Sequence, residues 1–380
     1  MRTFLTVWLG QVVSLLGSKL TEFALGVWIY EQTGSITQFA IAVLLIYLPN
    51  VLVSPLAGVL VDRWSRRWAM ILSDGIAAVS TVVAVVLVFS GHLAVWHVYV
   101  AIAIRSVFEA FQWPAYVAAI AQLVPKRHLS RANGMVQVSR AIGKLIAPLM
   151  AGFLMKAIAL EGVLLVDFAT FLVAMAALLA VRFPPYRSPL SPKRSKQPLW
   201  QRLFQETRQS WHYVTKHPGL VKLLLFVSVI YYTTGTLEVV FWPYILSFAS
   251  SAELGLVLSV GGCGMLLGSL AISTWGGPKR RIYGMVALVP LQGILIIVGA
   301  WQFSLMVAGG VIFAFLFAQP IIVSCNQSIW QSKVPLALQG RVFALQTMLE
   351  RSFAILAYSL SGPIADYILE PLMLPDGGLG

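Results

Sequence analysis

Long apolar runs separated by short polar hairpins dominate the chain, and the runs set the first expectation. A membrane-crossing helix needs about 20 mostly apolar residues. Eleven stretches reach that length, at roughly 4–30, 37–61, 68–90, 94–123, 135–157, 161–181, 219–248, 253–276, 283–300, 303–324 and 341–369. A barrel wall requires alternation of lipid-facing and lumen-facing positions, and these runs are uniformly apolar, so strands are excluded. The pattern predicts an all-α membrane protein whose longer helices are tilted. The first run starts at residue 3 or 4 without an A-x-A-like cleavage site, so it is expected to stay as a span.

Composition strengthens this reading. Of 380 residues, 58% are hydrophobic and 11% charged, against roughly 25% charge in an average soluble domain. With the N-terminus inside, 24 of the 27 Lys and Arg residues fall on inner loops, while Glu31, Glu161, Glu253, Glu370 and Asp376 mark outer ones. The positive-inside rule therefore predicts a cytoplasmic N-terminus in a multi-pass protein of the cell inner (cytoplasmic) membrane. The net charge of +13 is the arithmetic of those inner loops beside an anionic leaflet, and nucleic acid is not an expected partner. Cys263 and Cys325 lie inside spans, where a packed apolar thiol is the expected role; no metal site or cofactor is legible. No histidine cluster, nucleophile elbow or phosphate loop points to an enzyme.

Three regions follow: 1–181 as a first six-helix bundle, 182–218 as a basic linker, and 219–380 as a second bundle with five visible helices. The linker opens with PPYRSPLSPKRSKQP, and Leu199, Leu203, Phe204, Thr207, Trp211 and Val214 then recur at helical spacing, predicting an amphipathic helix on the inner membrane surface. At an offset of 210, Arg131 meets Arg341 and Gly152 meets Gly362; at 216, Glu22 meets Glu238. These matches predict two parallel halves of six helices each.

Three constellations carry candidate chemistry. Between spans 2 and 3, GVLVDRWSRR places Gly58, Asp62, Arg63, Arg66 and Arg67 in one inner hairpin. Glycine permits close helix approach, the acid suits a helix N-terminus or an arginine, and the arginines suit carboxylates or lipid phosphate. In span 5, Gly134, Gly143, Pro148 and Gly152 sit among further small residues that allow tight packing, with Pro148 freeing a carbonyl. Within spans, Lys19 and Glu22 are three apart, Arg105 and Glu109 four apart, and Glu238 stands in span 7. Charges inside a membrane are costly unless paired or facing water, so each is a candidate for function, with local pairing as the plainer alternative.

The hairpin, the span count and the basic linker together resemble the major facilitator superfamily, whose motif A matches GVLVDRWSRR with Ser65 at one glycine position. A degenerate copy, Gly268 through Arg281, lacks the acid. Span 5 resembles that family's antiporter motif with Ala147 and Ala151 at two glycine positions, and VDFATF with LWQRLFQETRQSWHYVTKHPGL resembles the macrolide-efflux and siderophore-exporter branch of drug:proton antiporters. The resemblance implies two pseudo-symmetric helical bundles working by alternating access and lined by helices 1, 4, 7 and 10. It implies a conformational latch at motif A, proton coupling through Glu22, Glu109, Glu238, Arg105 and Lys19, and a monomer carrying a small molecule in exchange for protons. Phe108 and Glu109 replace the Gln and Gly that follow the family's helix 4 arginine. For the cavity wall, Gln112, Tyr231, Tyr232, Trp242, Asn326 and Gln327 supply aromatic and amide groups. An importer or uniporter of a small polar solute, or a non-transporting membrane receptor, is the alternative. The family pattern has twelve helices, so a twelfth is expected to be missing.

Overall fold

The computed structural model describes residues 2–61, 65–124, 129–181, 183, 208, 211–275, 277–278, 280–301, 304–334 and 336–373. Among them every regular element is helical. In order these are α1 (Arg2–Thr33), α2 (Ile36–Val61), α3 (Arg66–Phe89) and α4 (Val95–Leu123). The stretch Leu129–Ala180 is broken by Ala159, at φ 54° and ψ −170°, into α5 (129–158) and α6 (160–180). Then come α7 (Pro218–Leu246), α8 (Ser251–Trp275), α9 (Arg281–Trp301), α10 (Leu305–Lys333) and α11 (Leu336–Ile364). A π-turn, Ala365–Leu369, and a short tail, Glu370–Met373, continue α11.

Eleven helices thus match the eleven apolar runs, and the chain is a multi-pass membrane protein. Nine stretches are long and apolar enough to cross a bilayer among the described residues, and one of them, Ile142–Ala180, contains the Ala159 break. Large apolar side chains stay exposed along α3 (Val79, Val83, Val86) and α9 (Leu291, Ile294, Ile297), the surface that lipid rather than water would cover. Three helices exceed the sequence limits by five residues or more, α5 among them with its start at Leu129 rather than 135. α10 runs nine residues beyond 324 and α11 starts five before 341, both through polar sequence that the apolar runs leave out.

The chain forms two compact units. Unit 1 holds the described residues of 1–189 together with 242–259 and 362–380; unit 2 holds those of 190–241 and 260–361. In unit 1, α1 packs along α5 and α6, α2 along α4, and α3 against α4. Gly10 and Gly17 let α6 come close to α1: a Cβ on Gly17 would lie 2.0 Å from Thr170 Oγ1, and one on Gly10 2.7 Å from Ala177 Cβ. In unit 2, α8 meets the main chain of α10, and a Cβ on Gly264 or Gly268 would fall 2.2 or 2.1 Å from the Phe313 or Phe317 carbonyl.

Candidate functional site

The polar interior of unit 1 is built on a seven-residue register. Two helical turns advance about 10.5 Å, so residues seven apart share a face at two levels. α1 carries Gln11 and Ser18, α3 carries Asp74 and Thr81, and the antiparallel α4 carries Gln112 and Arg105 at that same spacing. The side chains meet in two layers.

In the first layer Asp74 is 4% exposed. Gln11 Nε2 donates to Asp74 Oδ2 at 3.1 Å, Gln112 Nε2 donates to Asp74 Oδ1, and Gln112 Nε2 also reaches Gln11 Oε1 at 3.2 Å. No cation completes it among the described residues.

The second layer is ionic. Arg105 Nη1 donates to Asp167 Oδ2 and to Thr81 Oγ1, both at 2.9 Å. Thr81 Oγ1 also donates to Asp167 Oδ2 at 3.2 Å, and Ser18 Oγ to Asp167 Oδ1 at 3.4 Å. Asp167 comes from α6, which the α1 glycines admit. The four-residue spacing made Glu109 an easy partner for Arg105, but the ion pair runs across helices to Asp167, and Glu109 is exposed. Just beyond this layer Lys19 and Glu22 are half-buried and bridge to each other, and Gly143 of α5 rests near Leu15 and Lys19.

Unit 2 has its own polar cluster. Tyr358 Oη donates to Glu238 Oε2 at 2.7 Å, and Gly235 lets α11 close on α7 there. On α10 and α11, Asn326 Nδ2 and Gln346 Nε2 donate to Glu350 Oε1 at 3.2 and 2.9 Å, with all three side chains buried. Tyr231 and Tyr232 are half-buried and Gln327 is exposed. Glu22 and Glu238, paired by the sequence repeat, lie in different units.

The antiporter-like residues of α5 meet a second-half segment inside unit 1. A Cβ on Gly255 of α8 would lie 2.3 Å from the Pro148 carbonyl, and one on Gly152 2.5 Å from the Ser251 carbonyl, so only glycine fits at either place. Trp242 packs on Phe23 and Phe39, with ring centroids 5.1 and 5.3 Å away. Asp366 closes the N-terminus of α2, accepting from Ser35 Oγ at 2.6 Å, Thr37 N at 2.8 Å and Ile36 N at 3.1 Å.

Of the motif A hairpin, Gly58 lies in α2, and Arg66 and Arg67 open α3. Asp62 and Arg63 lie outside the described residues, as do Leu199, Leu203, Phe204 and Thr207 of the linker. Arg67 donates to the Leu178 and Leu179 carbonyls at 3.1 and 2.9 Å, a cation on the C-terminal turn of α6. Gly134 lies within α5. No metal-binding group of His, Cys, Asp and Glu occurs among the described residues.

Comparison with known proteins agrees with this architecture. A family model described as Major Facilitator Superfamily matches residues 7–358. The chain is 27% identical over 372 residues to Macrolide efflux protein A of Streptococcus pyogenes, covering 96% of this chain and 90% of that one. It is 23% identical over 352 residues to Enterobactin exporter EntS of Shigella flexneri, covering 90% and 80%. A bacterial homologue of the human lysosomal transporter Spinster, solved inward-facing and unoccupied, superposes with a TM-score of 0.71 at 16% identity, over 98% of this chain and 83% of that one.

Proposed function

The chain belongs to the Major Facilitator Superfamily, and from that premise we propose that this transporter exports a hydrophobic or amphipathic small molecule across the cytoplasmic membrane in exchange for protons. The observation that carries the direction is similarity over nearly the whole chain to proteins named for efflux of a macrolide and export of a siderophore. α5 supports it. Pro148 and Gly152 sit at a contact with α8 that tolerates no side chain, as an antiporter-type packing seam requires.

Coupling needs a carboxylate whose charge can change during the cycle. Glu22 qualifies because its partner is on the same helix, three residues away, and either a conformational change or a bound cargo can take Lys19 from it. Glu238 qualifies by its contact with the neutral Tyr358 hydroxyl. Arg105 serves a different purpose, since its partner Asp167 is packed in the bundle. Exposed Glu109 ranks below Glu22 and Glu238.

In this reading the N-terminus is cytoplasmic, motif A with Gly58, Asp62, Arg63, Arg66 and Arg67 is the inner latch, and the carrier is a monomer. The cargo contacts drawn from Tyr231, Tyr232, Trp242 and Gln327 are aromatic and amide groups suited to an amphipathic molecule. The test is accumulation of a fluorescent hydrophobic dye in cells expressing the protein. Lower accumulation that an uncoupler restores supports export driven by protons; uncoupler-insensitive uptake of small polar solutes would replace this reading with the importer or uniporter.

A further inference from the structure

We propose that Asp74 is a proton-binding residue inside unit 1, held in both protonation states by the carboxamides of Gln11 and Gln112. The proposal deepens the proton-exchange reading and rests on it for its role in transport, but not for the chemistry of the site.

A buried carboxylate is expensive without a charged partner or water, and Asp167, two turns away, shows the usual solution with Arg105. Asp74 is as buried, yet its partners are two neutral amides on two other helices. A guanidinium would lock the negative charge in place. A carboxamide does not, because it presents a donor on one side and an acceptor on the other.

Both Asp74 oxygens therefore keep an amide partner in either state. When Asp74 is ionised, each of its oxygens accepts one amide N–H, and Gln112 also donates to Gln11. When a proton from the aqueous phase adds to Oδ1, the only new covalent bond is that O–H. A half-turn of the Gln112 carboxamide then turns its Oε1 toward Asp74 to accept the hydroxyl, while Gln11 continues to donate to Oδ2 and the bond from Gln112 to Gln11 opens. No main-chain movement is needed, and nothing else gains or loses charge.

The surrounding charges are bonded elsewhere, exposed or distant. Arg105 and Asp167 lie one layer away on α4 and α6, bonded to each other. Arg67 lies two turns back on α3, with its guanidinium on the α6 carbonyls. On α1, Lys19 is bridged to Glu22; Lys144 and Lys156 of α5 and Glu109 of α4 are exposed, and Glu161 starts the far end of α6. The nearby titratable Tyr116, one turn along α4 from Gln112, is packed among Phe4, Met70 and Ala119. Gln11 and Gln112 are positioning residues here, and Asp74 is the group that binds the proton.

The experiment uses the full chain in nanodiscs and in proteoliposomes. Infrared difference spectra between acidic and alkaline pH are expected to contain a protonated-carboxyl carbonyl band that Asp74→Asn removes and Glu22→Gln leaves in place. In proteoliposomes, one fewer exchanged proton is expected to flatten the dependence of dye accumulation by about tenfold per pH unit in Asp74→Asn. A folded Asp74→Asn protein that retains both the band and the wild-type steepness overturns the proposal. If wild-type transport ignores the pH gradient but the band is present and lost in Asp74→Asn, proton exchange falls and the proton site stands. Should Asp74→Asn fail to fold, Gln112→Leu is used: removal of the alternate acceptor is expected to shift the carbonyl band and its pH midpoint, and an unchanged band overturns the proposal.

Discussion

The two polar layers of unit 1 share α1, α3 and α4 and the same seven-residue register, but they hold their carboxylates by opposite means. Asp167 faces a guanidinium and two hydroxyls, and its charge belongs to the structure. Asp74 faces two carboxamides, which tolerate either charge. Burial alone therefore does not identify a coupling residue. On the proposal above, what marks one is a partner able to follow a change of charge.

Breaking the ionic layer should have the largest effect. Asp167→Asn leaves the half-buried Arg105 beside an amide, and loss of about 3 kcal/mol of stability is expected from breaking a largely buried pair. Thermal unfolding in detergent checks it, and the double variant Arg105→Gln with Asp167→Asn should regain most of the loss. If Asp167→Asn were as stable as wild type, the contrast between layers would collapse.

Next comes the amide layer. Gln112→Leu strips one donor from a buried carboxylate, and a loss of about 1–3 kcal/mol is expected. Asp74→Asn should cost less than Asp167→Asn, because an amide replaces an acid that has no cation to abandon. Equal destabilisation by the two Asn variants would put both carboxylates in the same class. Smallest of all, Ser18→Ala deletes a long hydrogen bond of 3.4 Å, and a change within about 1 kcal/mol is expected.

The comparison also explains what was legible in the sequence. The eleven helices were readable because each is a long apolar run, and even the α5–α6 break fell between two runs. Arg105, Glu22, Lys19 and Glu238 stood out as charges within spans. Asp74, a lone acid in ILSDGIAAV, has neither an opposite charge three or four residues away, as Lys19–Glu22 and Arg105–Glu109 have, nor a repeat partner, as Glu238 has. The signal that would have exposed it is the shared spacing of Gln11 with Ser18, Asp74 with Thr81 and Arg105 with Gln112. Local spacing pairs Arg105 with Glu109, whereas its partner is set by α6, whose approach depends on Gly10 and Gly17. Asp366 on the α2 N-terminus involves residues more than 300 positions apart, which local pattern cannot connect. Asp366 itself follows the last small-residue contact of α11, Gly362 against Thr37.

The most direct measurement is dye transport by the full chain in proteoliposomes with an imposed pH gradient, comparing wild type with Glu22→Gln. Wild type is expected to move dye against its gradient and in the direction opposite to the protons, and Glu22→Gln, though folded, to respond to the gradient less steeply by about tenfold per pH unit. Wild-type transport that is indifferent to the gradient, or a Glu22→Gln protein as responsive as wild type, would contradict this.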